Sequence, residues 1–157
     1  MLGFRRPEFS DSQIDLYPIR IGLPDQDLQF GRELLWRITE HGKKQEIGQI
    51  SFRNGESIYI YYFGHIGYHI DPPWRGHGYA CAACKLISSL FAYEAKSSLV
   101  ITCDPDNIPS RKTCEKLGCT LERIVDVPLF VRQRYEISAV KCRYIYRIGR
   151  LNEPFKL

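Results

Sequence analysis

A chain of 157 residues is long enough for one hydrophobic core and too short for two, so residues 1–157 are expected to form a single domain. Hydrophobic residues make up 44% and charged residues 25%, a balance typical of globular proteins that excludes an extensively disordered chain. The net charge of +4 fits an anionic ligand but does not identify one.

Several classes of protein are disfavoured by what the sequence lacks. No apolar run approaches the roughly 20 residues needed to cross a bilayer, and the N-terminus carries charges where a signal peptide would be apolar. We therefore expect a cytoplasmic protein that does not bind membranes. Its basic residues are scattered and show no nucleic-acid-binding signature, which leaves a nucleic-acid-binding module as a distant alternative.

The six cysteines lie mostly inside apolar, periodic segments. Buried free thiols in a reducing compartment are the favoured interpretation. The pair Cys81 and Cys84 has the spacing of a metal-binding motif, but no second Cys or His pair follows at zinc-ligand spacing. We therefore predict no metal site.

The first half of the chain is predicted to be rich in strands. Alternating residues from Gln13 predict a first strand, and residues 24–35 predict a short helix with acidic residues in its first turn. Residues 34–53 contain two alternating runs around a turn at 41–44, which predicts an antiparallel hairpin. Aromatic and β-branched residues over 58–70 indicate further strand.

The second half alternates helices with strands. The longest helical pattern covers Tyr79 to Lys96, and an apolar run at 98–103 predicts a buried strand. A short helix follows, with Pro109 in its first turn and Gly118 at its end. Segments from Thr120 and from Lys141 predict two last strands. Without an internal repeat, this order predicts an α/β (α+β) domain with a mixed sheet.

The junction before the long helix has an unusually bare backbone. It reads Arg75-Gly76-His77-Gly78-Tyr79-Ala80. The first N–H groups of a helix lack intrahelical partners and lie at the positive end of the helix dipole, so an uncovered helix start binds phosphates. Taken alone, the two glycines favour the simpler interpretation of a tight strand-to-helix turn. Neither the P-loop pattern nor the complete dinucleotide-binding pattern is present.

Two motifs together resemble the GNAT superfamily of N-acetyltransferases. The pattern Arg75-x-x-Gly78-x-Ala80 is similar to its acetyl-coenzyme A loop, Gln/Arg-x-x-Gly-x-Gly/Ala, which lies between the fourth strand and a long helix. Residues 106–119 resemble its Asn-x-x-Ser…Glu-Lys-x-Gly segment. The stretch 66–72 also resembles the "GY" strand of the branch that acetylates the N-termini of ribosomal proteins. The resemblance covers residues 64–127.

This resemblance implies a central mixed, mostly antiparallel, splayed β-sheet flanked by helices. It also implies direct transfer of an acetyl group from acetyl-coenzyme A (acetyl-CoA) to a primary amine, either a protein N-terminus or a small amine, without a metal. A longer acyl group is an alternative, as is a non-catalytic acyl-CoA sensor or partner-binding domain. The resemblance is also compatible with a homodimer.

The same resemblance assigns cofactor-binding residues. Main-chain groups of Ile70 and Asp71 would bind the pantetheine arm, and Asn107 would bind the cofactor farther along. Ser110 would either contact the same arm or bond to the local backbone. The amides of the loop would hold the pyrophosphate, and these belong to Arg75, Gly76, His77, Gly78, Tyr79 and Ala80.

Catalysis requires a base for the ammonium and a proton for the leaving thiolate. His69 is the first candidate base because imidazole titrates near neutral pH, while Glu46 and a water chain are competitors. Many family members supply the acid from a Tyr seven residues after the Asn. Cys114 occupies that position here, and either donates the proton or packs in the core.

Overall fold

The computed structural model of the protein describes residues 6–24, 31–93 and 97–148. In this part of the chain, eight strands form one sheet with the spatial order β1-β2-β3-β4-β5-β6-β8-β7. The strands are β1 (Phe9–Ser10), β2 (Ile14–Pro24), β3 (Arg32–Glu40), β4 (Glu46–Arg53), β5 (Ile66–Ile70), β6 (Ser98–Cys103), β7 (Thr120–Asp126) and β8 (Val140–Arg147). The helices are α1 (Ile58–Phe63), α2 (Tyr79–Ile87), α3 (Ser89–Tyr93), α4 (Ile108–Lys116) and α5 (Leu129–Arg134).

The sheet is mixed and mostly antiparallel, which confirms the predicted fold class. Its parallel pair is β5 with β6, where Ile66 lies opposite Ile101. Strand β8 enters between β6 and β7 and pairs antiparallel with both. A parallel connection needs a crossover, and α2 and α3 provide it between β5 and β6.

The hydrophobic core lies where the middle of the sheet meets α2 and α3. Trp36, Phe52 and Phe91 are almost completely buried, and the rings of the last two lie 4.9 Å apart. Helix α2 inserts small residues, including the fully buried Ala83 and Cys84, so it can approach the sheet closely. The cysteines are all free, and all except the half-buried Cys119 are buried, as the sequence predicts.

The prediction of strand over residues 58–63 is wrong, because this segment forms helix α1. Its run of aromatic and β-branched residues has strand propensity, but such propensity yields to tertiary packing. Here the carbonyl of Tyr62 accepts a hydrogen bond from Thr102 Oγ1 on β6 at 2.9 Å. The backbone bond from Gly64 N–H to Ile60 O closes the helix. Packing against β6 therefore outweighs the local preference.

The predicted helix over 24–35 is also wrong where the structure tests it. Residues 32–35 belong to β3, and Arg32 lies opposite Pro24 of β2. Residues 25–30 lie outside the described residues. The antiparallel β2–β3 pairing supplies these residues with partners that local propensity does not reveal.

The long helix predicted over 79–96 is divided. Helix α2 ends at Ile87, and α3 begins at Ser89. At the break, Ser88 Oγ donates a hydrogen bond to Lys85 O at 2.6 Å, and this competes with the helical pattern. Residues 94–96 lie outside the described residues. The sequence reading also missed the short strand β1 and helix α5.

Asp15 stabilises the end of the β3–β4 hairpin against β2. Its side chain is 4% exposed and accepts hydrogen bonds from Ser10 Oγ at 2.7 Å and from Gly42 N–H at 2.9 Å. His41 Nδ1 lies 2.8 Å away. Burial raises the pKa of the Asp15 carboxyl, but the hydrogen bonds from Gly42, Ser10 and His41 lower it by more. The net pKa therefore lies below the ordinary value.

We expect Asp15→Asn to lower the free energy of unfolding by about 1–3 kcal/mol at neutral pH, because buried donors lose a charged acceptor. A lowered pKa in the folded state means that this stabilisation is present above the unfolded pKa of about 3.9 and is lost as the pH falls through the folded value. Urea denaturation at several pH values should therefore show the variant and wild type converging below about pH 4. The exposed Asp126→Asn is the control, and a gap that stays constant down to acidic pH would contradict this assignment.

Candidate functional site

The start of α2 is an uncovered turn. Gly76 and Gly78 adopt φ values of +85° and +78°, where a side chain costs about 1–2 kcal/mol. A Cβ at either position would meet nothing within 4 Å. In the described part of the chain, no side chain caps α2 at Gly78. The N–H groups of Tyr79, Ala80 and Cys81 therefore lie at an open helix start, where an anion can bind.

Side chains around this turn hold it in place. Tyr79 Oη donates a hydrogen bond to Glu40 Oε2 at 2.9 Å, which lowers the pKa of the Glu40 carboxyl and raises that of the Tyr79 hydroxyl. The ring of His77 stacks on Tyr79 at 5.4 Å, and its Nδ1 donates to Trp74 O at 3.1 Å. The turn is thus fixed by the end of β3 as well as by its own backbone.

Arg75 is engaged through its backbone and its side chain. Its N–H bonds to Pro72 O at 3.3 Å and closes a short 3-10 turn over Pro72–Trp74. Its Nε donates to Ile70 O at 2.8 Å. The predicted amide contact from Arg75 to a phosphate is therefore already occupied within the protein, whereas the side chain lines the mouth of the adjacent cavity.

A cavity of about 610 Å³ begins at this turn and runs between β5 and β6. Its walls come from both strands, from the start of α2, and from one side of α4. Basic side chains line it, namely Arg75, Lys112, Lys116 and Lys141. A concave site with this charge favours an anionic ligand.

The cavity exists because β5 and β6 separate. They pair at Ile66 and Ile101, and β5 then continues to Ile70 beside β4. The Asp71 N–H donates to Ile47 O at 2.8 Å and so points toward β4. Because peptide groups alternate along a strand, those of Ile70 point into the gap. Main-chain contacts to the cofactor were predicted for both residues. The peptide groups of Ile70 face the gap, whereas the Asp71 N–H faces β4.

Tyr68 and Ser110 meet across the gap. The Tyr68 hydroxyl lies 2.8 Å from Ser110 Oγ, and both residues line the cavity. Asn107 caps α4 by accepting a hydrogen bond from Ser110 N–H at 3.2 Å. The backbone at the start of α4 is thus satisfied by Asn107, and the Ser110 hydroxyl is directed toward Tyr68.

The predicted bases occupy different environments. His69 lines the cavity with a side chain that is 62% exposed, and its Nε2 lies 3.3 Å from Asp71 Oδ1. Glu46, at the start of β4, accepts a hydrogen bond from Gln49 Nε2 at 2.8 Å and lies outside the cavity lining. Their neighbour His65 is buried, and its Nδ1 accepts from Val100 N–H at 3.0 Å. The structure therefore brings His69 to the cavity and gives His65 a structural role.

The sequence matches one known family over most of its length. Residues 6–120 match the family described as the acetyltransferase (GNAT) domain. The chain belongs to this family. A search of the curated proteins found no significant match to the GNAT domain described here.

Solved acetyltransferases share the fold of this GNAT domain. The microcin C7 self-immunity acetyltransferase MccE, in complex with acetyl-CoA and AMP, is 24% identical with a TM-score of 0.55, and the match covers 74% of this chain and 61% of MccE. RimJ from Mycobacterium smegmatis, in complex with CoA-disulfide, is 20% identical with a TM-score of 0.58, and the match covers 81% of this chain and 58% of RimJ. The ribosomal-protein-S5-alanine acetyltransferase from Vibrio fischeri is 18% identical with a TM-score of 0.59, and the match covers 78% of this chain and 64% of the Vibrio protein. This chain therefore spans roughly three fifths of the length of these three proteins.

The GNAT domain departs from its family pattern at Cys114. This residue is completely buried, and it does not belong to the cavity lining formed by the described residues. A hydrogen bond with Cys119 and burial both raise the pKa of the Cys114 thiol far above its ordinary value. The position therefore favours packing over donation of a proton to a ligand in the cavity.

The sequence reading of the GNAT domain missed a polar cluster on the cavity wall. Lys141 Nζ lies 2.7 Å from Asp104 Oδ1, which also accepts a hydrogen bond from Ser138 Oγ. Burial raises the pKa of Asp104, but the bonds from Lys141 and Ser138 bring the net pKa below its ordinary value. No local motif signals this cluster, because the pairing of β6 with β8 creates it.

Two other kinds of feature are absent from the described residues. No group of three or more His, Cys, Asp or Glu side chains there is placed to hold a metal ion. Among the same residues, no helix has the length and apolar character needed to cross a membrane.

Proposed function

We propose that this GNAT domain transfers an acetyl group from acetyl-CoA to a primary amine. The observation that carries the proposal is the uncovered start of α2, at Gly78, opening into a cavity that passes between β5 and β6. A helix start suits a diphosphate, and a gap between strands suits an extended arm that needs main-chain partners. The family match and the solved relatives that hold acetyl-CoA or CoA-disulfide support the same ligand.

Under this proposal the diphosphate lies on the amides at the start of α2, from Gly76 to Ala80. The peptide groups of Ile70 bind the pantetheine arm, with Asn107 and Ser110 on the opposite wall. Binding the carrier exchanges the bond between Arg75 Nε and Ile70 O for contacts with the ligand, which lets the guanidinium turn toward the phosphates. The remaining basic side chains of the cavity add charge complementarity.

The reaction is aminolysis of the thioester. The lone pair of a neutral amine attacks the carbonyl carbon, the tetrahedral intermediate collapses, and the C–S bond breaks with its electron pair on sulfur. The new amide nitrogen releases its second proton to solvent, and the thiolate takes one up, so that the products are the amide and free coenzyme A. His69 takes the proton of the ammonium, and the Asp71 carboxylate, 3.3 Å from His69 Nε2, orients the imidazole. Glu46 lies outside the cavity lining and would require a water chain to serve as the base.

The acceptor that we propose is a protein N-terminus or a small amine, in a cytoplasmic setting. Six free cysteines, five of them buried, fit a reducing compartment. The relatives include a ribosomal-protein-S5-alanine acetyltransferase, an enzyme whose name gives a protein acceptor. A homodimer is compatible with this function and is not required by the cavity, which one chain lines.

The proposal is tested by release of free thiol from acetyl-CoA in the presence of a panel of peptides and amines. We expect amine-dependent thiol release together with an acetylated product of the expected mass. Coenzyme A at a hundredfold excess over its Kd should also stabilise the fold by about 2.7 kcal/mol. Stabilisation without turnover for any amine would instead favour the non-catalytic sensor, the alternative to which the Cys at position 114 points. A protein that shows neither amine-dependent thiol release nor stabilisation by coenzyme A would overturn the proposal.

A further inference from the structure

The C-terminal end of α4 brings two cysteine side chains together. The helix ends in a turn in which Gly118 adopts a φ of +77°. The Gly118 N–H donates to Glu115 O and the Cys119 N–H donates to Cys114 O, each at 3.0 Å. These two bonds and the left-handed glycine define a Schellman motif, in which the side chains at the positions of Cys114 and Cys119 commonly contact each other. The backbone geometry therefore places one thiol beside the other.

We propose that Cys114 and Cys119 are a site of oxidative modification, at which a hydroperoxide converts the two thiols into a disulfide and a reductant restores them. The modification joins α4, which forms one wall of the cavity, to the residue that precedes β7. It does not involve acetyl transfer. The inference therefore goes beyond the proposed function and stands or falls separately from it.

The two thiols have different roles in this reaction. Cys114 is completely buried, whereas Cys119 is half-buried and is the member of the pair that solvent can reach. Their hydrogen bond lowers the pKa of the Cys119 thiol and raises the pKa of the Cys114 thiol. The thiolate is the nucleophile, so a peroxide oxidises the more acidic and more accessible thiol first. Cys119 is thus the thiol that meets the oxidant, and Cys114 is the thiol that resolves the product.

The chemistry balances with a hydroperoxide as the only co-reactant. The Cys119 thiolate attacks one oxygen of hydrogen peroxide, the O–O bond breaks, and Cys119 becomes a sulfenic acid while hydroxide leaves. The Cys114 sulfur then attacks the Cys119 sulfur, so that an S–S bond forms and the S–O bond breaks. The hydroxyl group leaves as water with the Cys114 proton, and the earlier hydroxide takes the proton that Cys119 released. Two thiols are oxidised to a disulfide, and the peroxide is reduced to water.

The other cysteine pairs are less suited to this reaction. Cys103 and Cys142 lie opposite each other on β6 and β8, but both are buried. Burial raises the pKa of the Cys103 thiol to about 11, which suppresses its thiolate. Cys81 and Cys84 on α2 are also buried, and burial raises the pKa of the Cys84 thiol far above its ordinary value. Cys119 is the cysteine that combines partial exposure with a neighbouring thiol.

The test exposes the reduced full-length protein to a small excess of hydrogen peroxide and counts free thiols after denaturation. We expect the count to fall from six to four, and to return to six with dithiothreitol. Trypsin cuts between the two cysteines, after Lys116, and so places them on separate peptides, 113–116 and 117–123. Mass spectrometry should therefore detect these two peptides linked, and the link should disappear on reduction.

Three variants assign the role of each thiol. Cys119→Ser should lose free thiols roughly tenfold more slowly than wild type or slower still, because it lacks the accessible thiolate. Cys114→Ser leaves Cys119 without its resolving partner, so dimedone should trap Cys119 as the sulfenic acid. Cys103→Ser is the matched control, and it should form the same link at the wild-type rate.

The wild-type peptide map decides the question even where a variant of a buried cysteine does not fold. Six thiols that stay free, a link between Cys103 and Cys142 in place of the expected one, or oxidation of Cys119 to a sulfinic acid without a link would each overturn the assignment. None of these measurements uses acetyl transfer. A failure here therefore leaves the proposed function untouched, and a failure of acetyl transfer leaves this assignment untouched.

Discussion

Gly78→Val should weaken binding of coenzyme A by about 10²- to 10⁴-fold, as expected if two hydrogen bonds to a charged phosphate are lost at about 1.5–3 kcal/mol each. The space beside Gly78 is open in the structure, and we assign it to the diphosphate. A branched side chain would occupy this space. It would also oppose the φ of +78° that aims the first amides of α2 into the cavity. Titration calorimetry with coenzyme A measures the change directly.

Gly118→Val is the matched control for this variant. Gly118 follows α4, has a φ of +77°, and also has open space beside its Cβ position. Both variants therefore carry the same backbone penalty of about 1–2 kcal/mol, whereas only position 78 faces the proposed phosphates. Equal affinities for coenzyme A in the two variants would show that the turn before α2 does not bind the diphosphate.

His69→Ala should lower kcat by about 10²- to 10⁴-fold, the usual contribution of a general base. The imidazole lines the cavity and is held near the Asp71 carboxylate, so its loss removes the acceptor for the ammonium proton without disturbing the start of α2. The KM for acetyl-CoA should therefore remain nearly unchanged. Steady-state kinetics with a saturating amine separate the two parameters.

Two companion variants sharpen this prediction. Asp71→Asn should lower kcat by a smaller factor, because it removes the group that orients His69 and leaves the imidazole in place. Glu46→Gln tests the competing base, and we expect a far smaller loss of kcat than in His69→Ala. The reverse order, with Glu46→Gln the slower enzyme, would remove His69 from the mechanism.

The parts of the site that sequence could predict are those encoded within one short segment. Glycines at 76 and 78 indicated an open helix start because the required backbone conformation limits the residue type, and the structure has both at positive φ. Cys114 was identified as a departure from the family pattern. Its burial decides between its two interpretations, and burial follows from packing that no short motif describes.

The contacts that sequence could not predict join distant segments. Tyr68 and Ser110 are separated by 42 residues and meet because α4 packs across the gap beside β5. Glu40, at the end of β3, holds Tyr79 from 39 residues away. Helix α1 shows the same limitation at the level of secondary structure, since its strand-like residues take their conformation from the neighbouring strand β6. Local patterns thus located the open turn before α2, and tertiary packing determined which residues hold that turn in place.

We propose that main-chain nitrogens at the start of α2 bind the diphosphate of acetyl-CoA. A crystal structure of the protein with acetyl-CoA tests it most directly. We expect phosphate oxygens within hydrogen-bond distance of the amides from Gly76 to Ala80, and the thioester in the gap between β5 and β6. A structure in which the carrier binds elsewhere, or in which protein side chains cover these amides, would contradict it.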